Sequence, residues 1–146
     1  MCIRDRSDVA IVNKIIDGIK VGRFREIAEA VQGDMDKVTM MSFINSVREG
    51  HADSLKLLDQ VKGFIADILS MLVNIFAPRK IVLFGELAEL GDILLDGVRE
   101  RVRENIIKEN SNGLKIMASE FGRNLGAMGA AAMVMQNAFE FLEEKI

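Results

Sequence analysis

Apolar residues recur at spacings of three and four along the first half of the chain, the pattern of helices that bury one face. The pattern predicts four helices whose ends fall at glycine, aspartate or proline residues. The fourth is amphipathic at first and apolar nearly all round from Phe64 onward, so we expect its second half to be buried on more than one side. The predicted helices cover residues 8–22, 24–32, 39–49 and 53–76.

Two units of strand, glycine turn and helix follow. Pro78 cannot continue the long helix, and the apolar run 80–84 predicts a buried strand. Gly85 follows at once, and residues 87–107 have helical spacing, with an apolar stripe facing inward and arginines and glutamates forming ion pairs on the solvent face. A loop over residues 108–113 then leads to a second strand at 114–118, a glycine-containing turn and a last helix ending near Leu142.

These two units predict an α/β fold, mostly helical with a short parallel strand pair joined by a right-handed crossover. Ligands bind such sheets at the carboxyl ends of the strands, where helix N-termini favour anions. Gly85 and the second glycine turn, Gly122 to Gly129, are therefore candidate ligand contacts, with helix packing as the alternative for both. Glu86 and Glu89 are the acidic pair at the Gly85 turn, and no catalytic residues are predicted.

Composition excludes several functions. The net charge is −3 with both signs interleaved, so the chain has no basic field for nucleic acid or membrane lipid. Its longest apolar stretch is too short to cross a bilayer, and we expect a cytoplasmic protein. A single cysteine, Cys2, excludes an internal disulfide. With one histidine, His51, no metal site is predicted, and His51 is expected to cap a helix or lie on the surface.

The first six residues, Met-Cys-Ile-Arg-Asp-Arg, are similar to a translated sequencing adaptor, and we exclude them from the fold. The predicted domain then covers residues 7–146. We expect it to be a C-terminal piece of a longer protein that is cut upstream of Ser7.

Two stretches resemble the C-terminal part of the ROK family of sugar-responsive repressors and sugar kinases. They are the helix, Ala-Pro, strand and Gly85 of residues 73–92, and Phe-Gly-Arg-Asn-Leu-Gly-Ala-Met-Gly-Ala-Ala at residues 121–131. The resemblance implies the C-terminal half of an actin/hexokinase-like, ribonuclease H-like ATPase fold. In the kinases of this family, the glycines after the strand line the adenosine pocket, and Gly85 matches the first of them.

Four departures from the family pattern argue against a working ATP site, and the Gly-Glu turn and the phenylalanine-containing C-terminal helix resemble the repressor branch more than the kinase branch. Glu86 and Phe84 stand where the kinases often carry glycine, Ala77 replaces the usual asparagine, and Arg-Asn-Leu at 123–125 replaces an acidic version. We therefore interpret Gly85 and Glu86 as a vestigial nucleotide turn. The resemblance implies the effector-domain piece of a sugar-sensing transcriptional repressor, with a fragment of an ATP-dependent sugar kinase as the alternative.

The resemblance also implies partners. A repressor would bind a sugar or sugar phosphate, dimerise, and contact DNA only through a winged helix upstream of this chain. A kinase would need ATP and Mg²⁺, and the family's zinc motif, sugar-binding residues and catalytic aspartate would all precede this piece. A third interpretation, a helical interaction module without a ligand, would apply if the two glycine turns lay on opposite sheet edges.

Deleting residues 1–6 should leave the thermal midpoint unchanged, because no apolar pattern connects them to the first helix. The measurement is thermal unfolding of the chain with and without these residues. A loss of stability above about 1 kcal/mol, the usual size of a structurally meaningful change, would contradict the adaptor interpretation.

Overall fold

The computed structural model describes residues 8–119 and 128–135. Within them the chain is mostly helical. The α-helices are α1 (Asp8–Lys20), α2 (Arg25–Ala30), α3 (Met40–Arg48), α4 (Ala52–Phe76), α5 (Asp92–Asn105), α6 (Lys108–Ser111) and α7 (128–135). Short 3₁₀ helices cover Met35–Lys37 and Glu86–Leu90, and the strands are β1 (Lys80–Leu83) and β2 (Lys115–Ala118). Residues 1–6 lie outside the described part.

The first three helices and the start of α4 enclose one part of the core. Phe43 and Ile44 of α3 and Ile15 of α1 are fully buried, together with Leu58 of α4. A capping box fixes the start of α3, where the Thr39 hydroxyl accepts from the Ser42 amide and the Ser42 side chain accepts from the Thr39 amide. Met40, the first residue of α3, is also buried and belongs to this part of the core.

Asp53 connects the start of α4 to the turn before α2. Phe24 has a left-handed backbone (φ 50°), and its amide donates to the Asp53 carboxylate at 3.1 Å. That hydrogen bond, with the nearby Arg23 guanidinium, holds the pKa of Asp53 below its ordinary value of 3.8. Because the pKa is lowered in the folded state, this interaction stabilises the fold above that ordinary value and is lost as the pH falls through the lowered one.

Helices α4 and α5 pack along their length and form the second part of the core. The buried side chains at this contact are Leu69 and Val73 of α4 and Leu94, Val98 and Val102 of α5. The predicted inward stripe of α5 is thus confirmed. Arg101 of α5 donates to the Asp59 carbonyl and carboxylate of α4 at 2.8 and 2.7 Å, and Asn74 accepts from the Ile107 amide at 3.0 Å.

The two strands pair in parallel, as predicted, with Lys80 opposite Lys115 and Leu83 opposite Ala118. Helix α5 lies between them in the chain and therefore forms the crossover. The Ser119 amide extends the ladder by donating to the Leu83 carbonyl at 2.7 Å. The carboxyl ends of both strands consequently meet at one sheet edge.

Two burial predictions were wrong for the described residues. The second half of α4 is buried on one side only, since an apolar stripe on its other side is exposed. Strand β1 is likewise half exposed, with Val82 and the following Phe84 open to solvent. The reason is that α5 covers only one face of α4. The described sheet has only two strands, which are too few to cover the other face of α4. The exposed stripe, here called the α4 stripe, consists of Ile68, Met71, Leu72, Ile75 and Phe76.

The predicted helix 87–107 is two elements. A 3₁₀ turn over Glu86–Leu90 ends at Gly91, whose backbone (φ 55°, ψ −128°) an L-residue rarely adopts, and α5 begins only at Asp92. The solvent face of α5 also differs from the prediction. Arg99 pairs with two aspartates, Asp92 and Asp96, and not with the glutamates that alternate with the arginines. The predicted loop 108–113 contains the short helix α6, with Ser111 donating to the Lys108 carbonyl.

The purified chain should bind an apolar dye or self-associate, because a two-stranded sheet is marginal and the α4 stripe is exposed. Replacing Met71 and Ile75 together by glutamine should reduce dye binding and association. Replacing Val21, an isolated exposed residue, by glutamine is the matched control and should change neither. A monomer with a sharp, concentration-independent unfolding transition and no dye binding would contradict this.

Gly18→Ala should destabilise the fold by about 1 kcal/mol, because a Cβ there would lie 2.6 Å from the buried Phe24 ring. The cost of overpacking, about 1–3 kcal/mol, exceeds the gain in helix propensity of about 1 kcal/mol. Gly97→Ala is the control, since its Cβ would meet only the flexible Lys62 side chain. Urea unfolding of both variants measures the difference, and equal midpoints would show that the ring can move aside.

Candidate functional site

The predicted ligand turn begins where β1 ends. Gly85 has φ 110° and ψ 179°, a region that is essentially restricted to glycine, so the turn requires this residue. A Cβ built on Gly85 would have no described atom within 4 Å. The described atoms therefore leave free the space that a side chain at residue 85 would take, and the ligand contact predicted there stays a prediction.

After Gly85 the chain turns twice before α5 starts. The Ala88 amide donates to the Gly85 carbonyl at 3.1 Å, and the Gly91 amide donates to the Ala88 carbonyl at 3.0 Å. Arg48 at the end of α3 holds this segment, since its guanidinium donates to the Glu89 carbonyl at 2.9 Å. The turn is thus fixed both by its own backbone hydrogen bonds and by a distant helix.

Carboxylates dominate the charges at this sheet edge. Glu86 follows Gly85 directly and is half buried, as is Glu89 one turn later. Asp92 occupies the first turn of α5, where it complements the positive end of the helix dipole, and Asp96 follows it. The Arg99 guanidinium is paired with both aspartates at 3.0 and 2.9 Å. Apart from Arg48, the described cations at this edge are therefore already paired.

The second glycine turn lies mostly outside the described residues. Ser119 is described, and it lies beside Leu83 at the same edge as Gly85. Gly122 and Gly126 fall in the undescribed part, so their predicted role as a ligand turn or a packing surface stays a prediction. Helix α7 carries Gly129, and a Cβ added there would have no described atom within 4 Å.

His51 lies away from this edge, between α3 and α4. It occupies the position just before α4, but its side chain does not cap the helix. Its Nδ1 instead lies 3.1 Å from the Ser46 hydroxyl, which also bonds the buried Ser54 hydroxyl at 2.7 Å. The histidine therefore closes a small polar network that joins α3 to α4, a structural role.

Chemically, the turn can place backbone next to a ligand, and its side chains contribute mainly negative charge. Within the described ranges, no three His, Cys, Asp or Glu side chains are close enough to hold a metal ion. None of the described helices is long and apolar enough to cross a membrane. The sequence predicted Gly85, Glu86 and Glu89 at this turn, and the structure places all three in it. Arg48 and Asp92 were missed, although Gly91-Asp92 is an ordinary helix-start signal.

The chain is similar to proteins of two functional kinds. It is 24% identical over 104 residues to a glucokinase of Thermotoga maritima, covering 71% of this chain and 33% of that protein. It is 22% identical over 128 residues to the N-acetylglucosamine repressor of Escherichia coli O157:H7, covering 88% of this chain and 30% of the repressor. The chain therefore spans about a third of the length of these relatives.

A solved structure shows the same fold. The crystal structure of a ROK family glucokinase from Streptomyces griseus, in complex with glucose and AMPPNP, matches 90% of this chain with a TM-score of 0.71 and 19% sequence identity. The match covers 44% of that protein. The predicted fold class is therefore confirmed, an α/β arrangement that corresponds to part of a ROK glucokinase.

The family itself is established by sequence. The pattern of the ROK family matches residues 22–137, which is most of the chain and includes both β1 with its glycine turn and β2. The chain therefore belongs to the ROK family.

Proposed function

We propose that this chain is the C-terminal effector-domain part of a sugar-sensing transcriptional repressor of the ROK family. The observation that carries the proposal is the acidic glycine turn, in which Glu86 follows Gly85 directly and Glu89 and Asp92 follow within seven residues. A nucleotide bound at this turn would place its phosphates near these carboxylates. A sensor that binds only a sugar has no such conflict.

Charge repulsion between a nucleotide phosphate and a nearby carboxylate is large enough to weaken binding. Two unit charges 4 Å apart interact by about 4 kcal/mol at an effective dielectric of 20, and by about half of that at twice the distance. At the longer distance, the loss of nucleotide affinity is roughly tenfold to a hundredfold for one carboxylate. Glu86 also places a side chain where a bare backbone would let the nucleotide approach.

The similarities favour neither function, since the repressor sequence match extends over 88% of the chain and the glucokinase match over 71%, while the structural match to a glucokinase covers 90% and that to a ROK regulator 80%. The alternative is a fragment of an ATP-dependent sugar kinase. Its support is the structural match to the Streptomyces glucokinase and the open space at Gly85, where adenosine could contact the backbone. In that case ATP and Mg²⁺ would be the cofactors, and the catalytic residues would lie outside this chain.

The repressor proposal carries further partners with it. The effector would be a sugar or a sugar phosphate, and DNA would be bound by a domain that is not in the present sequence. A homodimer in the cytoplasm is part of the proposal, and the exposed α4 stripe is apolar surface that a second copy could cover. Zinc, where present, would bind to residues upstream. The ligand-free interaction module is less well supported, because the described strand ends share one edge.

The test is sugar-dependent ATP consumption by the protein encoded by the whole gene, measured with several hexoses and amino sugars. We expect no turnover above background, because the acidic turn repels the nucleotide. Glu86→Gly should raise ATP affinity about tenfold or more, and Glu86→Gln, which keeps the bulk, should give part of that gain. Glu104→Gln on the solvent side of α5 is the control. Robust turnover by the unmodified protein would reject the repressor and establish the kinase.

A further inference from the structure

A cavity of about 320 Å³ lies between α5 and β2, near the amino-terminal edge of the sheet. Because the strands are parallel, this edge is opposite to the one that carries the Gly85 turn. Its volume is at the lower end of the range for small-molecule pockets. The cavity is lined by apolar residues of α5, β2 and the chain between them, by Ser111 of α6, and by three cationic side chains, Arg99, Arg103 and Lys115.

The inner surface of the cavity is apolar. Val102 of α5, Ile106 just after α5 and Ile116 of β2 are buried core residues that reach its lining, and Leu114 and Met117 are half buried beside them. No buried polar side chain without a partner occurs among the described residues. The body of a ligand held here would therefore contact hydrocarbon, which disfavours a bare sugar or a bare inorganic anion.

Arg99 forms a fixed side of the cavity. Its Nε donates to the Ile116 carbonyl at 3.0 Å, which satisfies a carbonyl on the outer edge of β2. Its Nη1 bonds both Asp92 and Asp96. The guanidinium is thus neutralised and held in place, so it shapes the cavity but has little charge left for a ligand.

Arg103 and Lys115 differ from Arg99 in their exposure and in their pairing. Both are exposed at the cavity mouth, and within the described residues neither side chain has a hydrogen bond or an ion pair. They come from separate elements, Arg103 from α5 and Lys115 from β2. The register also sets Lys80 of β1 beside Lys115, which adds a third cation without a described partner at this edge.

We propose that this cavity binds a small organic anion with an apolar body and one carboxylate or phosphate group. The body would lie on Val102, Ile106 and Ile116, and the anionic group would lie between Arg103 and Lys115. Arg103 can contact either kind of anion with two parallel hydrogen bonds, and Lys115 adds a second charge. The site is independent of the nucleotide turn, so the proposal stands whether the parent protein is a repressor or a kinase.

The experiment is a titration of the 146-residue chain followed by NMR of amide and methyl groups. The probes are benzoate and phenyl phosphate, which distinguish the two anionic groups, with inorganic phosphate and benzyl alcohol as partial probes. We expect shifts confined to residues around the cavity with at least one of the two aromatic anions. Phosphate alone and benzyl alcohol should each bind at least tenfold more weakly, since each lacks half of the recognition.

Variants make the test specific. Arg103→Gln should weaken anion binding about tenfold to a hundredfold, as expected for a lost charged hydrogen bond. Lys14→Gln removes an exposed lysine of α1 and is the matched control, with no expected change. Both variants should keep the amide spectrum of the folded chain, because neither side chain has a described partner. Equal binding of benzyl alcohol and benzoate, or unchanged binding by Arg103→Gln, would overturn the proposal.

A segment of the chain itself could compete with an external ligand for the cavity. It is the apolar and acidic run Phe-Glu-Phe-Leu-Glu-Glu at residues 139–144. A variant ending at Ala138 addresses it. If the aromatic anions bind the full chain and the shortened chain equally, the cavity is available to an external ligand, as proposed. If they bind only the shortened chain, the end of the protein occupies the cavity, and the proposal is wrong.

Discussion

The packing of α4 against α5 is the interaction on which the rest of the structure depends. Helix α5 forms the crossover between two parallel strands, so the strands can pair only if α5 has a surface to lie on. The long helix α4 provides that surface, and the two helices approach closely at Gly63 and Gly97. A Cβ at Gly63 would lie 2.9 Å from the Arg101 guanidinium, and one at Gly97 would lie 2.9 Å from the Lys62 side chain. The long side chains of each helix thus pass over a glycine of the other.

The same packing explains the exposed apolar surface. Because α5 takes one face of α4, the opposite face of its second half, which is also apolar, has no described partner. Val82 and Phe84, in and after β1, are exposed apolar residues as well. A helix that is apolar on two sides normally lies between two layers. The chain spans only about a third of the length of its relatives, which is consistent with a second layer built from other parts of such proteins.

Sequence patterns predicted the elements better than their surroundings. The stripe from Leu90 to Ile106, the parallel strand pair and the need for glycine at position 85 all follow from local spacing and backbone chemistry, and the structure confirms them. The burial of α4 and β1 was wrong, because periodicity shows which faces are apolar but not whether a partner exists. The end of the 3₁₀ turn at Gly91 was missed because the apolar spacing of Leu87, Leu90 and Leu94 continues through it. Contacts such as Arg48 with Glu89 join residues 41 positions apart, and no local pattern encodes them.

The distribution of charge between the two sheet edges links fold and function. Backbone geometry alone would make the carboxyl edge the place for an anion, since β1 ends there at a glycine turn and the positive end of α5 points to it. Side chains reverse this preference. Glu86, Glu89 and Asp92 place negative charge at that edge, and Asp92 already complements the helix dipole. Cations without described partners, Arg103, Lys115 and Lys80, lie at the amino-terminal edge instead. The acidic side chains at the carboxyl edge therefore oppose the anion-favouring backbone there, whereas the amino-terminal edge combines apolar surface with cations.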